Sequence, residues 1–379
     1  MKILLSQPNL NKEDLLGIKK VYDKKWLLNG PVVKKFEEKF KNKFKYKYST
    51  SVSSCTAGLQ LVLSSLNLKK GDEVILTSFN FIAAGLSVLQ CGLKPIFVDL
   101  RKDHFDIDIE IVKKKITKKT KVIILTHFNG YLQPTSNLLK AITKYKNIKV
   151  IEDASHVLGS HYKNKYPGSQ TFAAVYSFGP TKMITAAGMG GMVVSRNKDL
   201  VNKVNILKCY GMDRSSFHRS KSKKPWIYKI KNLGNNFRMT EMQASVGIEQ
   251  LKKIERFISK RKALINAYKK NIKTKNITYQ KSEFTTKPAL IYFAIILENR
   301  RMRDRLANFL LNKKIGTSVH WDPPLSDQNL FKNFKNNELR NSKSLSSKIL
   351  SLPLHTKMSF KDVKYIAKHI NYFFNKFLH

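Results

Sequence analysis

The sequence predicts an α/β protein: a three-layer, mostly parallel sheet covered by helices, followed by a smaller C-terminal α/β domain. Short apolar runs recur between residues 73 and 195, most of them separated by segments long enough for a crossover helix. The runs are continuous rather than alternating in hydrophobicity, as strands covered on both faces require. From about Gln250 the pattern changes to long lysine-rich helices, which divides the chain into a large domain, 1–249, and a smaller one, 250–379.

An N-terminal helical segment opens the large domain. In WLLNGPVVKKFEEKFKNKF a Gly-Pro break precedes a helix whose apolar positions Val33, Phe36 and Phe40 recur at helical spacing. Six strands are expected, at Glu73–Thr77, Pro95–Asp99, Val122–Thr126, Lys149–Asp153, Ala174–Phe178 and Gly191–Ser195. The last two are too close for a full crossover, so an antiparallel pair is expected there. The smaller domain carries YFAIIL, the irregular HWDPPL and a final helix near Lys361–Phe377. No internal repeat and no long disordered segment are expected.

At 379 residues and 43.7 kDa the chain exceeds one ordinary domain. No apolar run approaches the roughly 20 residues needed to span a bilayer. The apolar stretch in MKILLSQPNLNKED is too short for a secretory leader. A soluble, cytoplasmic protein is the expectation. Cys55, Cys91 and Cys209 are an odd number, far apart and without a CxxC pair, so neither a disulfide framework nor a zinc site is suggested. They read as reduced bystanders. The net charge of +45 points toward nucleic acid or an anionic surface. Against that, the lysines are scattered, as in KKVYDKK, VKKKITKKTK and YKKNIKTKN, and no nucleic-acid motif is present. We read them as solvated faces, with no nucleic-acid partner and a field that attracts anionic small substrates.

In open α/β sheets chemistry gathers beyond the carboxyl ends of the strands. His127, Asp153, Ser177 and Lys182 all fall there. Asp153, in VIEDASHVLGS, needs a hydrogen-bonding or cationic partner because an unpaired buried carboxylate is strongly disfavoured. It is either a helix cap or the counter-charge of a protonated heterocycle. Lys182 lies among Gly179, Pro180, Gly188, Gly190 and Gly191, where a flat ligand can approach the backbone. It is either one more surface lysine or a desolvated, imine-forming nucleophile. In SVSSCTAGLQLVLSSL, Ser54 to Gly58 precede an amphipathic helix. They serve as a helix cap or as a phosphate site built from free N–H groups and the Thr56 hydroxyl.

These segments occur in one order with WLLNGPVVKKFEEKF, SSCTAGL, GDEVILTSFNFIAA, GLKPIFVDL, THFNGYLQP, IEDASHVLGS, YSFGPTK, GMGG, GNNFRMTEMQAS, VHWDPPL and LSLPLH. Together they resemble the sugar-nucleotide aminotransferases of the DegT/DnrJ/EryC1/StrS type, pyridoxal-phosphate enzymes of the type I aspartate aminotransferase fold. The likeness covers nearly the whole chain.

The resemblance implies roles residue by residue. Lys182 forms the imine with pyridoxal 5'-phosphate and then shuttles a proton. Asp153 pairs with the pyridine nitrogen, and His156 contacts the phenolic oxygen. Thr56, Ala57 and Ser177 hold the phosphate, with Asn236 reaching it from a second subunit. Phe81 stacks on the ring and Ser155 lies on its other face. Arg238, His320 and Tyr228 are expected to contact substrate, Tyr228 as part of the basic, aromatic stretch from Arg214 to Lys231. The implied partners are a nucleotide-linked keto-sugar, an amino donor such as L-glutamate, and a second copy of the chain in a homodimer with a shared active site. Met189 stands where relatives often carry an acid. Asn129 stands where an aromatic is commoner, which suggests a role in the substrate pocket. Two other readings compete: a deoxygenating sugar-nucleotide dehydratase, disfavoured by a lysine where that subgroup has histidine, and a basic nucleic-acid or anionic-surface binding protein on this scaffold.

Overall fold

A computed structural model describes residues 2–213, 216–334 and 338–377. Two helices come first, α1 (Lys12–Lys24) and α2 (Pro31–Lys43). Then β1 (Tyr48–Val52) leads to α3 (Cys55–Ser64), and β2 (Glu73–Thr77), α4 (Ile82–Gln90), β3 (Lys94–Val98), α5 (Ile109–Lys115) and β4 (Thr120–Thr126) alternate. They are followed by α6 (Thr135–Ala141), β5 (Lys149–Asp153), β6 (Ala173–Ser177), β7 (Gly191–Ser195), α7 (Lys198–Leu207) and the short α8 (Ser216–Ser220). The long α9 (Glu241–Asn271) runs unbroken through residue 250, where the sequence suggests a domain boundary. Beyond it lie β8 (Thr278–Tyr279), β9 (Phe293–Ile296), α10 (Arg300–Asn312), α11 (Arg340–Lys348), β10 (Ile349–Leu352) and α12 (Phe360–Phe377).

The large sheet has seven strands in the order β1-β7-β6-β5-β4-β2-β3. Pairs from β3 across to β6 are parallel, while β7 pairs antiparallel with both β6 and β1. Thus β7 alone runs against the others, and the expected antiparallel pair is present. All six expected strands form, each within two residues of the expected ends. The strand β1 is an addition.

Side chains alternate across the sheet, as strand geometry requires. Val74, Leu76, Ile151, Val175 and Val193 pack with α3, α4 and α7. On the opposite face, Tyr176, Met192 and Val194 meet Phe36 and Phe40 of α2 and Ile254 and Phe257 of α9. Ile75, Ile123 and Val150 face Val112 and Leu138 of α5 and α6. A second sheet, β10-β9-β8, packs on Leu264 and Tyr268 of α9 and on Val363, Ile366 and Ile370 of α12. Among the described residues no helix is long and apolar enough to cross a membrane.

Candidate active site

Lys182 sits in the segment joining β6 to β7. That segment folds back on itself: Phe178 N–H donates to Gly190 O at 2.8 Å, Ala186 N–H to Phe178 O at 3.0 Å, and Lys182 N–H to Gly179 O at 3.1 Å. The glycines are needed where backbones meet. A Cβ on Gly191 would lie 2.8 Å from Ser54 C and 2.9 Å from Cys55 N, so only glycine lets the start of β7 touch the start of α3. Burial lowers the Lys182 ammonium from its ordinary value, while the negative charge of Asp153, and secondarily Cys55, resists the shift.

Asp153 ends β5. Two residues on from Ile151, it shares the face that meets α3. Its Oδ1 accepts from Ser155 N–H at 3.0 Å and lies 3.7 Å from Cys55 Sγ. No protein group among the described residues donates to its other oxygen, Oδ2.

His156 is buried, and its Nδ1 has no hydrogen-bond partner. Its ring lies 5.6 Å from Phe128, 5.7 Å from Trp321, 6.1 Å from Tyr292 and 6.4 Å from His320. His320 stacks on Tyr292 at 4.6 Å and its Nδ1 pairs with Ser351 Oγ at 2.8 Å. Burial pushes His320 down to about 4, and the Lys182 charge adds to it. Burial also holds His156 well below the usual histidine range, helped by the Lys182 and His320 charges. Both imidazoles are therefore neutral near pH 7.

At the start of α3, Ser54 caps the helix by accepting from Ala57 N–H at 3.1 Å. Ala57 is thus already engaged, which leaves the first-turn N–H groups of Cys55 and Thr56 and the Thr56 hydroxyl to face an anion. Ser177 ends β6, and its Oγ accepts from Gly179 N–H at 3.4 Å. Phe81 is 53% exposed at the start of α4, 6.3 Å from the Trp321 ring.

Other expected residues lie elsewhere. His127 turns away from Lys182: Gln133 N–H donates to its Nδ1 at 2.9 Å, and its Nε2 meets Glu152 Oε1 at 3.2 Å. Glu152 points to the sheet face opposite Asp153, where Thr135, Thr171 and Gly168 N–H complete its shell. Asn129 is buried with φ +48°, and its Oδ1 accepts from Tyr292 N–H at 2.9 Å and Ile291 N–H at 3.3 Å. Its side chain thus braces the Tyr292 backbone. Asn236 is exposed, with its Oδ1 accepting from Arg238 Nε at 2.9 Å, and Arg238 lies 5.2 Å over the Tyr210 ring. Tyr228 lies beneath Arg219 at 4.9 Å. No hydrogen bond or ring contact among the described residues joins these three to Lys182 or Asp153. Arg214 and Ser215, which open the basic stretch, lie outside the described residues. Met189 is exposed, and it is its backbone O that is engaged, accepting from Gln243 Nε2 at 2.9 Å.

Sequence reasoning missed the wall around His156. Phe128, Tyr292 and Trp321 form it, Phe128 and Trp321 lying 5.1 Å apart, with Phe79 packed on Trp321 at 5.2 Å and on Phe128 at 5.3 Å. The irregular HWDPPL was the available signal, because a tryptophan beside a polar histidine in a proline-rich loop has no periodic reason to be there.

The fold, with a buried lysine in the segment from β6 to β7, suits an enzyme of the pyridoxal-phosphate type. The chain belongs to the DegT/DnrJ/EryC1/StrS aminotransferase family, which matches residues 8–371. It is 34% identical over 363 residues to an uncharacterized protein of Methanocaldococcus jannaschii, covering 94% of each chain. To the GDP-perosamine synthase of Escherichia coli O157:H7 it is 30% identical, covering 97% of this chain and 98% of that one. The solved structure of Helicobacter pylori PseC, an aminotransferase involved in the biosynthesis of pseudoaminic acid, superimposes with a TM-score of 0.91 at 26% identity, covering 100% of both chains. The protein is a pyridoxal-phosphate-dependent sugar aminotransferase.

Proposed function

We propose that the enzyme transfers an amino group from L-glutamate to a keto-sugar carried on a nucleoside diphosphate, in amino-sugar synthesis for a surface polysaccharide or glycan. The observation that carries this is the buried amine of Lys182 set among Asp153, His156 and the start of α3. The residues fit pyridoxal phosphate on their own terms. Asp153 keeps one oxygen unengaged, His156 keeps a buried nitrogen without a partner, and α3 offers free N–H groups for a phosphate.

Asp153 Oδ2 would hold the proton of the ring nitrogen, and neutral His156 would bond the phenolic oxygen. Pyridoxal phosphate supplies the electron sink for the pair left when a proton departs from the nitrogen-bearing carbon. Lys182 Nζ would hold the cofactor at rest. Its depressed basicity then suits it to take the proton from one carbon and return it to another.

Asn236, Arg238 and Tyr228 face outward in the single chain. An exposed apolar surface formed by Trp226, Ile230 and Leu233 lies in the same region. In our reading a second copy covers it, and Asn236 completes the phosphate site of that copy. Arg238 and the basic stretch then receive the diphosphate through charge-assisted bonds.

The purified holoenzyme should lose its visible cofactor band on addition of glutamate and regain it with a keto-sugar acceptor. Lys182→Ala should lower turnover by at least ~10³-fold. Repeated turnover by that variant would refute the assignment. A panel of nucleotide keto-sugars, with products identified by mass and NMR, tests the acceptor class.

A further inference from the structure

Cys55, read from the sequence as a bystander, occupies a place that no bystander needs. It is the first residue of α3, its backbone N sits against Gly191, and its side chain points between the ends of β5 and β6. The sulfur lies 3.7 Å from Asp153 Oδ1 and 3.5 Å from Val175 O. Val175 O already accepts Ala154 N–H at 2.9 Å and Oδ1 already accepts Ser155 N–H at 3.0 Å, so what makes the carboxylate the better acceptor for the thiol is its charge.

We infer that Cys55 is a positioning residue for Asp153, its thiol donating to Oδ1 so that, with Ser155 N–H, it fixes the carboxylate with Oδ2 turned toward the cofactor nitrogen. Two donors on one oxygen leave the carboxylate one orientation. His156, on the same loop as Ser155, keeps a buried Nδ1 without a hydrogen-bond partner, a second polar group of this loop left incomplete by the protein itself. Burial, and then the Asp153 charge, pushes the Cys55 thiol well above its ordinary range, so it stays a donor near pH 7. The inference rests on pyridoxal phosphate filling this site, and is independent of which sugar is the acceptor.

The test uses holoenzymes of Cys55→Ala and Cys55→Ser and follows the visible cofactor band as pH is raised. That band reports the proton on the nitrogen contributed by Lys182. The other titratable groups facing it are Asp153, Cys55, His156 and His320. The thiol places the positive end of its dipole toward Asp153. Removing it leaves the aspartate charge less compensated, which favours a cation nearby. Cys55→Ala should therefore raise the midpoint of the band by about half a pH unit and weaken cofactor binding about threefold. Cys55→Ser, which restores a donor, should return both to or beyond the wild-type values.

A Cys55→Ala midpoint indistinguishable from wild type, or Ala and Ser midpoints raised alike, would overturn the inference. Should Cys55→Ala not fold, the serine variant decides: a midpoint below wild type, from the stronger hydroxyl donor, supports it and an unchanged or raised one overturns it. Conversion of the wild-type band by glutamate is scored separately. A failure there counts against the aminotransferase reaction and leaves the band titration readable.

Discussion

His156 presents a bare ring nitrogen to the interior, and a buried polar atom without a partner costs about 1–3 kcal/mol. In the proposed cofactor complex a bond to the phenolic oxygen would recover that cost. His156→Leu should consequently slow the glutamate-driven loss of the visible band about tenfold in stopped-flow, the equivalent of one such bond. At this scale the sequence was informative where a polar residue interrupts a buried strand end. Asp153 stands out for that reason, and Lys182 for the glycines around it. It was silent about Cys55, because a small apolar-looking residue at a helix start has many uses, and about Tyr292 and Trp321, because their contacts join segments more than 130 residues apart to His156. His127 shows the limit of the strand-end rule. One residue past the end of β4, its ring turns to the other face and serves Glu152.

Among the elements, α2 has no side-chain cap of its own, since Gly30 precedes it and Pro31 opens it. Glu241 at the start of α9 takes that part. Its carboxylate accepts from Gly30 N–H at 2.7 Å, Val32 N–H at 2.8 Å and Val33 N–H at 3.0 Å. The segments WLLNGPVV and GNNFRMTEMQAS are thus two halves of one structural device. Glu241→Gln should lower stability by about 2 kcal/mol, read as a reduced urea midpoint, because one neutral oxygen cannot serve three donors as the carboxylate does. The interior strands were readable because burial on both faces makes them uniformly apolar. β1, YSTSV, was not, because its hydroxyls are satisfied by side chains and backbone outside the sheet. Ser49 Oγ donates to Glu37 O at 2.9 Å, Thr50 Oγ1 to Asn205 Oδ1 at 2.7 Å and Ser51 Oγ to Glu37 Oε1 at 2.7 Å.

For the whole molecule, acid is the informative stress. His320 and His355 are each depressed to about 4, in both cases first by burial, so the unfolded chain binds their protons more readily than the folded one. Their contribution to stability is complete above about pH 6.5 and is lost as pH falls toward 4. The melting temperature should decline across that window in calorimetry, and a His320→Asn/His355→Asn double variant should show a shallower decline. The charge of +45 is a property at this scale too, spread along the whole chain, and composition could not say which face it serves.

The order of the large sheet also governs how the chain is made. β1 has a single neighbour, β7, with Tyr48 opposite Ser195 and Val52 opposite Gly191, and α2 is closed by a carboxylate 211 residues after Gly30. On a ribosome adding about 5–20 residues per second, the first fifty residues wait on the order of ten to forty seconds for these partners. The first two helices and β1 therefore emerge well before the partners that secure them.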